Sequence, residues 1–429
     1  MRYSKQILFL IALFIGISLL LSRTPHQPYS VIADDLNRYF LPLIINNSQP
    51  ATSTSYYLTT VDNHFLHDLG CELGTRDHGL PGKQDSGVVL NFSFPVCFDD
   101  GHFGADLYGY GPVSTSGIET AVKSFAAGYY TCTGSDNSSN LVVGVGTNNK
   151  PTSCRTQSQA AAHGTAWAQL VTRINNWAVN EGIFHQVQAY GASDIELGWN
   201  TPTWSRAWID GFNQPGNNYL LHFGDAAGCP YEGNTHWSCG TANYPEWTME
   251  DVWYVAWGAP PSLPLPLIYL TNGVHAKQWA YLSQYSVIQH GHPMEFTGVF
   301  TQSQFCDQFN WEICQRANNT PEQAYEQLTT ELNKHPSTAQ ILRWKTDIRW
   351  IMQSELSQTA ADFDFFDEHA LKSNKYLNAF IELDLNNSAL SDIMQNGLNT
   401  KQAINQYFYQ MIEISKENPA LKDGAILIP

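Results

Sequence analysis

One stretch of the chain reads Gln188-Ala-Tyr-Gly-Ala-Ser-Asp194-Ile-Glu196-Leu-Gly-Trp199 and predicts a strand that ends in two carboxylates. Side chains alternate along a strand, so Asp194 and Glu196 point to the same face, next to the aromatic Trp199. Charged residues make up only 14% of the sequence, and two acids inside an apolar strand carry a desolvation cost. Two carboxylates kept at such a cost indicate a functional site more than a structural pair.

On both sides of this stretch, from about residue 85 to 305, short β-rich runs alternate with amphipathic helical segments. Helices are predicted over 118–127 and 160–180, where aromatic and aliphatic residues recur at helical spacing. Alternation over roughly 220 residues is the length and rhythm of a (β/α)8 barrel, and a doubly wound open sheet is the alternative. The predicted strands are 87–94, 128–132, 141–146, 186–195, 219–223, 252–257, 280–288 and 296–301.

The rest of the chain divides around this barrel. The fold class predicted is therefore α/β: an irregular (β/α)8, TIM-like barrel followed by an all-α C-terminal domain. In that domain Thr320-Pro-Glu-Gln323 is a capping-box helix start with proline at the first helical position, and a second helix is predicted over 341–351. The four predicted parts are a signal peptide or signal anchor (1–23), a linker and approach segment (24–80), the barrel (81–310) and the helical domain (311–429).

The N-terminus predicts export. Arg2 and Lys5 precede the apolar run 7–21, whose length of about 15 residues fits a secretory signal and is short for a membrane-spanning helix. No small-X-small cleavage site follows the run, so anchoring in a membrane through residues 7–21 is the alternative to cleavage. Either topology places the rest of the chain outside the cytoplasm.

Eight cysteines in an exported chain predict disulfides more than metal sites, because the compartment is oxidising and no Cys-X-X-Cys pair occurs. Connectivity does not follow from sequence alone, and mixed pairing is the alternative to nearest neighbours. The nearest-neighbour pairs are Cys71–Cys97, Cys132–Cys154, Cys229–Cys239 and Cys306–Cys314.

The net charge of -17 argues against a nucleic-acid partner, whose phosphates need a basic face. Aromatic residues make up 13% of the chain, which suits either a carbohydrate-binding surface or a large core. The predicted partner is a polysaccharide.

The strand that ends in Asp194-Ile-Glu196 resembles the Asp-X-Glu strand of the glycoside hydrolase family 25 lysozymes. Segments 252–257 and 278–286 are similar to that family's sixth strand and its Trp-Gln-Tyr-Ser segment. The resemblance implies an irregular (β/α) barrel that hydrolyses peptidoglycan or a similar cell-wall polysaccharide without a cofactor. It also implies that Glu196 is the proton donor, with Asp194 as its electrostatic partner.

Two positions depart from the family's pattern. The family carries an Asp on its first strand, where this chain has Asn91, and an Asp on its last strand, which 297–301 lacks. Asp225, at the end of the predicted strand 219–223, is the candidate third carboxylate, and Asp99 and Asp100 are further candidates. The predicted substrate-binding residues are Asn91, Trp199, Trp204, Trp257 and Tyr285.

Two other functions fit the same residues. In the first, the barrel binds carbohydrate without cleaving it, and Trp199, Trp204 and Trp257 form a stacking platform. In the second, the protein is a metal-dependent hydrolase, although the chain contains no His-Glu-X-X-His motif. Its candidate metal ligands are His222, Asp225, His236, His275, His290 and His292.

Overall fold

Eight parallel strands form one nearly closed, barrel-like sheet. The computed structural model describes residues 49–351, apart from Ser135, Asn217, residues 232–236 and Asn310. The strands are β1 (Thr52–Tyr57), β2 (Asp85–Asn91), β3 (Phe94–Cys97), β4 (Phe103–Leu107), β5 (Gly111–Ser114), β6 (Asn140–Asn148), β7 (Val187–Asp194), β8 (Leu220–His222), β9 (Ser262–Pro264), β10 (Gly298–Thr301) and β11 (Trp344–Trp350).

Helices follow the barrel strands and cover the outside of the sheet. They are α1 (Asn63–Gly79), α2 (Thr115–Cys132), α3 (Gln157–Asn180), α4 (Pro202–Asn213), α5 (Met249–Trp253), α6 (Val274–His290), α7 (Ser303–Phe309) and α8 (Pro321–Leu332). A π-helical turn, Tyr254–Gly258, extends α5, and a 3-10 turn, Glu312–Gln315, follows α7.

The strand order around the sheet is β10-β11-β1-β2-β6-β7-β8-β9, which follows the chain once around a circle. The segment after β9 then meets β10, because Phe300 N donates to Pro266 O at 2.9 Å and Ile268 N donates to Phe300 O at 3.0 Å. These contacts bring the two edges of the sheet together, so that the carboxyl ends of all eight strands share one rim.

The strands pack on both faces, as parallel strands in a barrel do. Val89 lies in the apolar cluster inside the barrel, whereas Val88 and Leu90 lie in the cluster between the sheet and the helices. A small antiparallel sheet of β3, β4 and β5 is inserted between β2 and α2.

The expected α/β class is confirmed in the form of this barrel-like sheet. The strands predicted over 87–94, 141–146, 186–195, 219–223 and 296–301 correspond to β2, β6, β7, β8 and β10, and both helices predicted before residue 305 are present as α2 and α3. The capping box is also confirmed, since Thr320 and Gln323 make both of its hydrogen bonds at the start of α8.

Four predicted elements are wrong, because tertiary packing overrides local pattern. Segment 128–132 is the end of α2, where Gly128 lets α2 approach α1 so closely that a Cβ would lie 2.0 Å from the His67 carbonyl oxygen. Segments 252–257 and 280–288 are rich in aromatic and aliphatic residues, but they form α5 with its π-helical turn and α6. The predicted helix 341–351 contains β11, whose residues are buried on both faces.

The barrel extends beyond the predicted 81–310 at both ends, since β1 lies before this range and β11 after it. The remainder of the predicted helical domain, and the N-terminal segment 1–23, fall outside the described residues. Among the helices that the structure describes, none combines the length and the hydropathy needed to cross a membrane.

The structure contains four disulfides, which indicate an oxidising environment. The predicted pairs Cys229–Cys239 and Cys306–Cys314 are confirmed. The other two predicted pairs are wrong, because α1 packs along α2 and joins Cys71 to Cys132, while the small sheet meets the segment before α3 and joins Cys97 to Cys154.

Peptide mapping without reduction checks this connectivity. Trypsin does not cleave between Lys and Pro, so residues 124–155 stay in one peptide that carries both Cys132 and Cys154. We expect this peptide to be linked to the Cys71 peptide and to the Cys97 peptide in one three-peptide complex that reduction dissolves. A direct link between the Cys71 and Cys97 peptides would contradict the structure.

Candidate active site

A layer of polar and aromatic side chains lines the carboxyl end of the barrel. Alternate strand residues face inward, and Val89, Val142, Ala192 and Leu221 lie in the interior cluster. Continuing by steps of two along their strands places Asn91, Asn148 and Asp194 inside, above that cluster. Asp225 follows the end of β8, and its electrostatic interactions with Asp194 and Glu196 place it beside them. We call the following set the mouth layer: Tyr57, Asn91, Asn148, Asp194, Glu196, Asp225, Tyr269 and Trp350.

Asp194 ends β7 and is fully buried. The hydroxyl of Tyr57, at the end of β1, donates to Asp194 Oδ2 at 2.7 Å across the barrel. Asn148 on β6 stands directly opposite Asp194 in the sheet register. The second oxygen, Asp194 Oδ1, is buried without a hydrogen-bond partner among the described residues.

The backbone of Glu196 is held by the side chain of Asn149. Asn149 Nδ2 donates to the Glu196 carbonyl oxygen at 3.0 Å, and Asn149 Oδ1 accepts from Glu196 N at 3.2 Å. The same amide donates to Ser205 Oγ at the start of α4, 3.2 Å away. These hydrogen bonds, the Asn149 clamp, fix the backbone of Glu196 just beyond the end of β7. The carboxyl group of Glu196 therefore extends from a backbone that is held in place.

Asp225 reaches the other two carboxylates through a close approach of the chain after β8. Leu197 N donates to Asp225 Oδ1, and Asp225 N donates to the Ile195 carbonyl oxygen, both at 3.3 Å. Gly224 permits this approach, because a Cβ at this position would lie 2.1 Å from the Ile195 carbonyl oxygen. The third carboxylate is therefore placed by a glycine that the sequence analysis did not single out.

We expect Gly224→Ala to destabilise the fold by about 1–3 kcal/mol, because the new methyl group forces β8 away from the end of β7. Urea unfolding measures this loss. Gly198→Ala is the matched control: Gly198 lies in the same region and a Cβ there meets nothing within 4 Å. Equal stability of the two variants would contradict the close approach at Gly224.

All three carboxylates are pushed toward their protonated forms. Burial is the largest cause, and it raises the pKa of Asp225 to about 7 and the pKa of Asp194 to about 8. The pKa of Glu196 is raised well above its ordinary value by burial and by the neighbouring Asp225 and Asp194. The Tyr57 hydroxyl opposes the shift of Asp194 by donating to it. Near neutral pH the site therefore retains exchangeable protons next to an ionisable carboxylate.

The mouth layer also contains buried polar atoms that have no hydrogen-bond partner among the described residues. An unpaired buried polar group costs about 1–3 kcal/mol, so several at one place indicate a site that a polar ligand or water completes. These atoms are Asn91 Nδ2, Asn148 Nδ2, Asp194 Oδ1, Glu196 Oε1 and the Tyr269 hydroxyl.

The predicted aromatic residues separate into two groups. Trp199 packs with the interior cluster of the barrel, so it accompanies the carboxylates. Trp204 is buried in the helical layer and its indole donates to the Cys154 carbonyl oxygen at 2.7 Å. Trp257 precedes β9 and therefore lies toward the opposite end of the barrel, and the Tyr285 hydroxyl on α6 donates to Glu250 at 2.9 Å. The structure does not bring these last three to the site.

The candidate metal ligands are dispersed. His222 is buried in the helical layer, with its ring centroid 5.7 Å from that of Trp279, and burial lowers its pKa to about 3. His275 Nδ1 accepts from the backbone N–H of Tyr269 at 3.2 Å. Among the described residues, which exclude His236, no three His, Cys, Asp or Glu side chains are grouped so that they could hold a metal ion. Asp99 and Asp100 are exposed between β3 and β4.

The structure adds aromatic residues to the site that the sequence analysis did not identify. Trp350 stacks on Tyr57 with ring centroids 5.2 Å apart and an interplanar angle of 2°. Tyr269 lies near the carboxylates. Burial is the main cause that raises the pKa of its hydroxyl, and the charges of Asp194 and Glu196 raise it further. A strand assignment for 52–57 and 344–350 would have revealed Tyr57 and Trp350 as strand-end residues.

The chain was compared with models of known protein families and with curated proteins. No family model and no curated protein matches it. The arrangement of side chains in the mouth layer is therefore the guide to its function.

Proposed function

We propose that the protein is an exported glycoside hydrolase that cleaves a polysaccharide by acid/base chemistry at the mouth layer. The observation that carries this proposal is the convergence of three buried carboxylates, Asp194, Glu196 and Asp225, at the carboxyl end of a barrel-like sheet. Catalytic residues of (β/α) barrels stand at this end, and glycoside hydrolysis uses a protonated and an ionised carboxyl group together.

Glu196 is the proposed general acid. Its raised pKa favours the protonated carboxyl group, which can give its proton to the glycosidic oxygen as the bond to the anomeric carbon breaks. The bonding electron pair stays with the leaving oxygen, and the anomeric carbon becomes positively charged. A water molecule then adds to this carbon and gives up one proton, which restores the neutral sugar product.

Asp225 and Asp194 have the two remaining proposed roles, ionised carboxylate and electrostatic partner of Glu196. The pKa of Asp225 is raised less than that of Asp194, and Asp225 accepts a backbone N–H from Leu197, so it is the proposed ionised carboxylate that stabilises the positive carbon or takes the proton from water. The Tyr57 hydroxyl orients Asp194 beside Glu196. Asp194 is then the electrostatic partner whose state of ionisation controls how readily Glu196 releases its proton.

The resemblance of the Asp194-Ile-Glu196 strand to the family 25 lysozymes makes peptidoglycan the first candidate substrate. A secreted protein, or one anchored outside the cytoplasm through residues 7–21, would meet this polymer, and the four disulfides fit such a compartment. The all-α domain after the barrel remains a prediction for the residues beyond 351.

A carbohydrate-binding protein without hydrolytic activity is the second candidate. The observation that favours it is Asn91, a neutral amide in the mouth layer at the place where the lysozyme family carries an acid. Asn91 Nδ2 and Asn148 Nδ2 have no hydrogen-bond partner among the described residues, and such donors suit sugar oxygens.

Release of reducing ends tests the proposal. Purified protein is incubated with peptidoglycan, chitin and a panel of plant and bacterial glycans, and binding to each is measured in parallel. We expect release from at least one polymer. Binding without release would favour the second candidate, and neither binding nor release from any polymer would contradict both.

A further inference from the structure

The small sheet next to the barrel presents one carboxylate away from the core. On β4, Ala105 and Leu107 are buried in the cluster under the helices, so Asp106 between them points to the opposite face. Phe94 on β3 pairs with Asp106 across the sheet. The Tyr108 ring lies edge-on to the Phe94 ring, with centroids 5.0 Å apart.

This face of the small sheet adjoins the mouth layer through a line of aromatic rings. The Tyr108 and Trp350 centroids are 4.8 Å apart, and Trp350 stacks on Tyr57. Tyr57 in turn donates to Asp194. Asp106 is thus linked to the carboxylates of the barrel through its strand partner Phe94 and a line of contacting rings, although it belongs to a different sheet.

Asp106 is partly buried, and the described residues offer its carboxylate no hydrogen bond or ion pair. Burial raises its pKa to about 6, so the group is still mainly ionised at pH 7. A partly buried carboxylate that lacks donors loses hydration without replacement. Sugar hydroxyl groups are donors of the kind that would restore these hydrogen bonds. Phe94 and Trp350 are buried, so the partly exposed ring of Tyr108 is the apolar surface beside Asp106 that a sugar face would meet.

We propose that Asp106 and Tyr108 form a second sugar-binding position beside the mouth layer, which holds a sugar unit of the polysaccharide next to the unit that is cleaved. The proposal rests on the proposed carbohydrate substrate. Asp106 accepts hydroxyl groups of this neighbouring unit, and the Tyr108 ring supports its apolar face. The protein therefore binds long glycan chains more tightly than short ones.

Binding measured without turnover tests this position. In a Glu196→Gln background, affinities for a disaccharide and a hexasaccharide of the chitin and cellulose series are measured by calorimetry. We expect Asp106→Asn and Tyr108→Ala each to weaken hexasaccharide binding about tenfold or more, as loss of a charge-assisted hydrogen bond or a stacking surface does, with no change for the disaccharide. Asp99→Asn, an exposed carboxylate before β4, is the matched control and leaves both affinities unchanged.

The proposal would be overturned if both variants bound the hexasaccharides as tightly as the Glu196→Gln protein with Asp106 and Tyr108 intact. It would also be overturned if that protein bound neither hexasaccharide, or bound disaccharide and hexasaccharide equally well. Circular dichroism verifies that each variant is folded. A failure of the proposed hydrolysis would look different. Binding would still increase with chain length and would be weakened by Asp106→Asn, but the protein that retains Glu196 would release no reducing ends.

Discussion

Glu196→Gln lowers kcat on the cleaved polysaccharide by about 100- to 10,000-fold, which is the contribution of a positioned general acid. Glutamine keeps the size of the side chain and the Asn149 clamp on the backbone, but it has no proton to give to the leaving oxygen. The KM value changes little, because the loss falls on the transition state and not on substrate binding. Initial rates of reducing-end release at saturating substrate measure the effect.

Glu326→Gln is the matched control. Glu326 is exposed on α8, so the same chemical change there leaves the rate unaltered. Thermal unfolding of both variants verifies that the loss is not a loss of fold. A Glu196→Gln variant with wild-type kcat would eliminate Glu196 as the proton donor, and Asp194 would be the next carboxyl group to substitute.

Several barrel strands can be predicted from the sequence, because their residues fit a strand pattern and do not fit a helical one. β6 and β7 are short apolar runs bounded by polar residues and glycine, and both were predicted within a few residues. The pair Asp194 and Glu196 stood out for the same reason, since two acids interrupt an apolar strand. Alternation of side chains then placed both on the inward face.

Other parts of the site depend on contacts that no local pattern encodes. β1 reads Thr-Ser-Thr-Ser-Tyr-Tyr, a polar run that becomes a barrel strand because β2 and β11 pair with it on both sides. β11 carries apolar residues at a spacing that suits a helix as well as a strand buried on both faces. Tyr57 and Trp350 were missed with their strands.

Two aromatic residues of the outer layer were wrongly predicted to belong to the site. Trp257 and Tyr285 lie in segments whose composition resembles strands, yet these segments are helical, and both side chains lie away from the mouth layer. The clamp of Asn149 on Glu196 depends on the register between β6 and β7, which no local sequence pattern encodes. Sequence thus located the acids, whereas the groups that hold them follow from strand pairing.

Asp194→Asn is expected to make the protein more stable at alkaline pH while it impairs catalysis. The ordinary pKa of an aspartate is 3.8, and burial raises that of Asp194 to about 8, so the folded state holds a proton that the unfolded chain releases. This stabilisation is complete below pH 4 and is lost as the pH rises through 8. Asparagine still accepts the Tyr57 hydroxyl but never acquires the buried charge, so the variant avoids the loss.

The difference between the two proteins therefore grows with pH. Each unit of pH between the two pKa values is worth up to about 1.4 kcal/mol, and we expect Asp194→Asn to gain about 2–4 kcal/mol over wild type between pH 5 and pH 8. Urea unfolding at both pH values measures this gain, and Asp99→Asn, the same change at an exposed surface position, is the matched control. A constant difference would mean that Asp194 titrates as it does in the unfolded chain. Asp194 would then lie in a hydrated groove, and less of its charge and of the burial around it would act to raise the pKa of Glu196.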